Sequence, residues 1–347
     1  MKKLISAIMA LTLCAAAFAG CSGAAKNDSI TLYTWEGMFP QEVLDGFTKE
    51  TGIKINYANF DTDETMLAKL ETAKGGDYDV VIADDYIIKT VVEEGLAQKL
   101  DKTKISNFGN INPVAQGQFY DAADEYTVPY GAGVQTIVYN PATVTKDVTG
   151  YADLWDPSFK DNIAIIGNYR VINGMALKVL GESYNTEDAA KIEAAGKKLL
   201  ELAPNIRLIK DDNVQNDLIN GEVSTAIMYT SQVTMAKMAN PDLKVVFPKE
   251  GDGFGIMAGF IPSKAPNADG AHKFFEYLLR PEISAQCFEY IGYYCTNKAA
   301  DSMIKPEFKD FLTLPASFQN PEMIAPVSAA AEEVHTKVWT EFKNSCN

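Results

Sequence analysis

The chain has 347 residues, long for one domain and comfortable for two. Acidic residues outnumber basic ones 46 to 31, a formal charge of −15, which makes nucleic acid and anionic membrane surfaces poor partners. A hydrophobic fraction of 47% is enough for real cores.

The first 20 residues read as a signal. Lys2 and Lys3 form a positive end, an apolar run follows from Leu4 to Ala19, and Phe18-Ala19-Gly20-Cys21 closes it. Small residues before a cysteine are the pattern of a bacterial lipoprotein signal, with Cys21 as the lipidated first residue of the mature chain. The run is shorter than the ~20 residues a spanning helix needs. Residues 21–28 read as a tether. A secretory signal with a chance cysteine is the competing reading. Under the lipoprotein reading the protein hangs from the outer face of the cytoplasmic membrane, and its work is done outside the cell.

From there, short apolar runs alternate with amphipathic stretches. Ile30–Trp35 reads as a strand, Pro40–Glu50 as a helix ended by Thr51-Gly52, and Lys54–Tyr57 as a strand. Asp63–Lys74 reads as a helix that Asp63 can cap, with Met66, Leu67 and Leu70 inward. Tyr78–Ala83 is almost wholly apolar, as in a strand buried on both faces of a parallel sheet. The grammar resumes with strand Asn162–Ile166, helix Thr186–Ala203 and strand Ile206–Ile209. Short helix Asn213–Asn220, strand Ser224–Tyr229, a helix through Met238 and strand Lys244–Phe247 follow. The last third is mostly helical, over Ala268–Leu279, Pro281–Ile291 and Pro326–Phe342. This is an α/β chain of two blocks without a flexible linker, so two lobes around a cleft are expected. Trp35-Glu36, Asp84-Asp85-Tyr86 and Tyr229 end three strands, where α/β sheets hold ligands.

Catalytic signatures are missing: there is no GxSxG, HExxH, GxxxxGK[ST] or strand-linked GxGxxG. The run Gly251-Asp252-Gly253-Phe254-Gly255 reads as a strand-end turn. Beyond Cys14 and Cys21 the cysteines are Cys287, Cys295 and Cys346; with no CxxC and only His272 and His335, a zinc site is not expected. A Cys287–Cys295 disulfide stays open. Tyr293-Tyr294 carries two readings: phenolate ligands for ferric iron, or one tyrosine in the core and one on the cleft wall. No enzyme activity, cofactor or metal is expected.

Several segments resemble the spermidine/putrescine-binding proteins of polyamine ABC importers. They are Leu32-Tyr33-Thr34-Trp35, Gly46–Lys54, Glu64–Leu70, Tyr78-Asp79-Val80-Val81 and Val128-Pro129-Tyr130. Ala152–Pro157, Phe247–Gly251, Leu279–Glu282 and Ile291-Gly292-Tyr293 continue the match in order. The resemblance implies a two-lobed, type II periplasmic-binding-protein-like fold with a mixed sheet in each lobe, closing on its ligand by a hinge. It implies lobe 1 from residues 29–131 and 254–303, lobe 2 from 132–253 and 304–347, a monomer, and permease subunits as partners.

The site implied is Trp35, Glu36, Met38, Asp84, Tyr86, Asn168, Val171, Asp211, Tyr229, Met257 and Tyr293. A polyamine needs carboxylates along a slot and aromatic faces for its methylenes. Trp35, Tyr86, Tyr229 and Tyr293 stand where the family has aromatic walls. The acids differ: a family Asp and Glu become Asn168 and Val171, and a family Trp and Asp become Gly255 and Met257. A family Tyr becomes Met38 and a Gln becomes Ile324, while Asp84 stands where Ser is common. Asp84 is therefore expected to take a cationic group, with Trp35, Tyr229 and Tyr293 stacked on the ligand body. Burying several ammonium groups without the lost acids costs about several kcal/mol each. Two ligand readings follow: a polyamine or related amine, or a mono-cationic or neutral metabolite; a non-transport sensor lipoprotein is a distant alternative.

Overall fold

The computed structural model describes residues 28–210, 212–314 and 321–346. The signal, Cys21 and Asp211 lie outside them. Strands β1 (Ser29–Thr34), β2 (Lys54–Asn59) and β3 (Val80–Asp84) alternate with helices α1 (Gln41–Thr51), α2 (Asp63–Thr72) and α3 (Asp85–Glu93). Helix α1 buries Val43, Leu44 and Phe47, and Gly52 stops it at φ 74°, a left-handed conformation that glycine adopts without strain. Asp63 does not cap α2. Thr62 does, its Oγ1 accepting the Thr65 N–H at 3.2 Å. The Asp63 carboxylate is left free to accept the Asp84 N–H at 3.4 Å.

The chain continues through β4 (Thr127–Tyr139), β5 (Ile163–Ile166), α4 (Tyr169–Val179), α5 (Ala189–Leu202), β6 (Ile206–Lys210) and α6 (Val214–Ile219). Then come β7 (Thr225–Tyr229), α7 (Thr230–Ala239), β8 (Lys244–Val246) and β9 (Gly253–Phe260). The last third holds α8 (Ala268–Leu278), α9 (Pro281–Ile291), β10 (Tyr294–Cys295), α10 (Pro306–Leu312), β11 (Glu322–Met323) and α11 (Ala329–Ser345). Helix α11 begins three residues later than expected because Ser328 is its cap. Helix α4 was not expected from the sequence; it buries every residue from Val171 to Leu177, Asn173 and Gly174 included.

The sheet path is β2-β1-β3-β9-β4-β7-β5-β6, with β8 and β10 on β4 and β11 on β9. Strand β3 is parallel to β1 on one side but antiparallel to β9 on the other, so the sheet is mixed. Strand β4 is the pivot: Thr127–Val134 pairs with β9, whereas Gln135–Tyr139 pairs with β7. Two hydrophobic cores follow from that switch. One gathers Ile30 to Val134 with Phe254 to Leu279; the other gathers Ile137 to Leu243 with Phe311, Leu312, Trp339 and Phe342. Helix α9 and β10 are shared: Cys287 and Tyr294 belong to the first core, Ala285, Phe288 and Cys295 to the second. Cys287, Cys295 and Cys346 are all free.

Close packing beside the cleft makes one position sensitive. A Cβ on Gly174 of α4 would fall 1.9 Å from Cδ1 of Tyr184, a fully buried ring. The Tyr184 hydroxyl lies 3.3 Å from that of Tyr151, and burial pushes both phenols up. Gly174→Ala should cost about 3 kcal/mol, read as a lowered midpoint in urea unfolding. An unchanged midpoint would mean that this contact is slack.

Candidate functional site

The ends of β3, β5 and β7, the first half of β9 and the start of α4 surround a cleft of about 790 Å³, floored by β4. Seven of the expected residues meet there: Asp84, Tyr86, Asn168, Val171, Tyr229, Met257 and Tyr293. Register explains part of this. Asp84 pairs with Met257 across β3 and β9, Met257 with Gly131 across β9 and β4, and Tyr229 with Gln135 across β7 and β4. Gly131 and Gly133 carry no side chain, so Tyr293 lies flat on them: a Cβ at either would be 3.5 Å from Tyr293 atoms.

The first strand delivers its residues elsewhere. Trp35 packs on Phe60 with ring centroids 4.8 Å apart. Met38 is buried in the first core and its carbonyl accepts the Tyr130 hydroxyl at 2.7 Å. Glu36 lines a separate groove of about 540 Å³ with Tyr57 and Tyr290. None of the three lines the main cleft.

One end of the cleft is acidic. Asp84, Asp63 and Asp85 converge where β3 enters α3, and Glu64 accepts the Tyr86 hydroxyl at 3.0 Å. Burial first, then the charges of Asp63 and Asp85, push the Asp84 carboxyl well above the ordinary range. Asp63 and Asp84 are too close for both to ionise at little cost, so the pair favours holding a proton. Burial also lifts Asp85 to about 7, although its Oδ2 accepts the Ile256 N–H at 2.7 Å. Burial and like charge both favour the protonated forms in this corner.

The opposite wall is neutral or already paired. Asn168 caps α4, its Oδ1 accepting the Val171 N–H at 3.2 Å, while its Nδ2 donates to the Tyr229 hydroxyl at 2.9 Å. Either an Asp or an Asn can make that cap, but only Asn steers the tyrosine as a donor. Burial holds the Tyr229 phenol at about 12 and raises that of Tyr293. The Arg170 Nη2 is taken by the carbonyls of Tyr184 and Ala325 and by the Asn185 side chain. Glu332 accepts the Tyr169 hydroxyl. Tyr294 is fully buried, so of the tyrosine pair only Tyr293 reaches the cleft. Among the described residues no group of three or more His, Cys, Asp or Glu could hold a metal ion. Sequence reasoning placed Asp85 at a strand end but missed Asp63, Gln135 and Glu332; a polar side chain at Gln135 inside the apolar run of β4 was the available signal.

A two-lobed frame around a ligand-sized cleft is the architecture of a solute-binding protein. A family model for bacterial extracellular solute-binding proteins matches residues 42–316. The spermidine/putrescine-binding periplasmic protein of Escherichia coli K12 is 38% identical over 328 residues, covering 92% of this chain and 94% of that one. Its counterpart in Salmonella typhimurium is 39% identical over 285 residues, covering 82% of each. Among solved structures, the spermidine/putrescine ABC transporter substrate-binding protein PotD of Streptococcus pneumoniae superposes with a TM-score of 0.85 at 29% identity, covering 92% of this chain and 99% of that one. The Tp0655 lipoprotein of Treponema pallidum, at 21% identity and a TM-score of 0.77, shares the fold. The chain belongs to the spermidine/putrescine-binding protein family. It is a binding protein, not an enzyme.

Proposed function

We propose that this protein is the lipid-anchored substrate-binding subunit of an ABC importer, capturing a polyamine or related amine between its two lobes and presenting it to permease subunits. The observation that carries the reading is the carboxyl pair Asp63–Asp84, with Asp84 lining one end of an aromatic cleft and Asp63 buried behind it. An ammonium group entering there replaces the pair's proton and gains charge-assisted hydrogen bonds, while Tyr229 and Tyr293 flank its methylenes. The names of the relatives support a polyamine; the Asn168, Val171 and Met257 positions favour fewer charges than spermidine carries. The sequence around Cys21 supports the anchor, and β4 at Val134–Gln135 is the natural hinge. Trp35, Glu36 and Met38 would join the site only on closure.

A second reading rests on the same neutral wall: a mono-cationic or neutral metabolite occupies the cleft. Thermal unfolding of protein starting after Cys21, against spermidine, putrescine, monoamines and neutral analogues, separates the two. A ligand at about 100 times its Kd adds roughly 2.7 kcal/mol, a shift of several degrees. A shift with spermidine or putrescine supports the first reading; a shift only with singly charged or neutral compounds supports the second.

A further inference from the structure

The floor of the cleft holds a polar group that the fold does not use. Gln135 is 4% exposed and lines the cleft. Its backbone is engaged, pairing with Tyr229 and accepting the Tyr151 hydroxyl at 3.1 Å. Its side-chain Oε1 is buried and has no hydrogen-bond partner. A buried carboxamide oxygen left unpaired weakens a fold, and such groups in native proteins call for another explanation.

Its position supplies one. Gly131, Gly133 and Gln135 lie on one face of β4, two residues apart. The bare glycines leave the floor to Tyr293 and Met257, and Gln135 is the first side chain after them able to hydrogen-bond. Asp84 lies in register with Met257 and Gly131, two strands across and four residues back along β4. Strand geometry puts the two Cα atoms roughly 16 Å apart. Once both side chains reach inward, the gap suits a four-carbon diamine carrying one acyl group. On β7 and β9 the neighbours of Gln135 are Tyr229, Phe254 and Gly255, all without charge. The carboxylates that approach this region are already engaged: Asp85 accepts the Ile256 N–H and Asp252 the Tyr151 hydroxyl.

We propose that Gln135 is the second anchor of the ligand, pairing its carboxamide with an uncharged amide-like group while the ammonium sits at Asp84, so that the preferred ligand class is a singly charged, mono-acylated diamine. The proposal rests on the amine-binding reading of the cleft and narrows it. A carboxamide offers one donor side and one acceptor side, the complement of an amide. A second ammonium there would be buried against a neutral group.

The test is calorimetric titration with putrescine and with N-acetylputrescine, which keeps one ammonium and turns the other into an amide. Wild type should bind N-acetylputrescine at least about tenfold more tightly. Gln135→Leu should remove that preference and leave putrescine within about threefold, and the ligand-free melting temperature should stay level or rise because an unpaired polar group is gone. Gln135→Glu should reverse the preference toward putrescine, and decides the matter alone if the Leu variant does not fold. The assignment is overturned if Gln135→Leu leaves N-acetylputrescine within about twofold, or if that variant melts several degrees lower, the mark of a purely structural residue. Asp84→Asn in the same titrations separates the two layers. If it abolishes binding while the Gln135 variants change nothing, only the Gln135 anchor falls. If neither probe binds wild type, the anchor and the amine reading fall together.

Discussion

Asp84→Asn should weaken a cationic ligand about 100-fold, the larger part of its binding free energy at that end of the cleft. Removing one partner of a buried ion pair costs about 3–5 kcal/mol, and each 1.4 kcal/mol is about tenfold in affinity. The full penalty is not expected, because Asp63 stands beside Asp84. In the variant Asp63 can still ionise, though it lies back at the start of α2 and accepts the Asp84 N–H. The double variant Asp63→Asn/Asp84→Asn should therefore lose more than the single one. Calorimetry reads both. An affinity within about twofold of wild type for Asp84→Asn would remove Asp84 from the site.

Asp85→Asn should leave stability unchanged near pH 4 and raise it on the order of 4 kcal/mol at about pH 8. The ordinary aspartate value is 3.8, and burial lifts Asp85 to about 7 in the folded protein. Between those values the folded state holds a proton that the unfolded state has released. Stability therefore falls as pH rises through that window and levels off above about 7. Asparagine keeps an acceptor for the Ile256 N–H and has no charge to bury. The comparison must be a difference between variant and wild type. His335, fully buried against Asn173 and held at about 4, works in the opposite sense over much of the same range. Its contribution is present above its ordinary value and is lost as pH falls toward about 4. Denaturant unfolding at several pH values checks the point; a difference that does not grow with pH contradicts the charge-burial account of this corner.

Much of the frame was legible because its elements carry one-sided patterns. Helix α1 shows its apolar stripe and its Gly52 stop, and α5 and α8 show theirs. Helix α4 was not legible, since Asn173 and Gly174, poor helix formers, sit in the middle of its short apolar run. Strand β4 was not either: a long apolar run with two glycines does not announce that its two halves serve different sheets. The same physics divides the site. Residues at the ends of β3 and β7 could be placed because strand ends converge on a cleft, whereas Met257, inside β9, was placed only by the family resemblance. Trp35 and Met38 also follow a strand end, but aromatic packing on Phe60 and a hydrogen bond from Tyr130 hold them in the first lobe. Asp63 was read as a helix cap because Asp is a good one; Thr62, one residue earlier, has the extended backbone that capping requires. Gln135 and Glu332 become functional candidates only when topology brings β4 and α11 to the same cleft.

The central claim is that an ammonium group displaces the proton held by the Asp63–Asp84 pair. The most direct measurement is calorimetric titration of the amine giving the largest thermal shift, from about pH 5.5 to about pH 8, in buffers of different ionisation heat. Both carboxyls lie above their ordinary range when the site is empty, so the account predicts proton release on binding and an affinity that rises with pH until the pair is ionised. Binding without proton release, at an affinity independent of pH across that range, would contradict it.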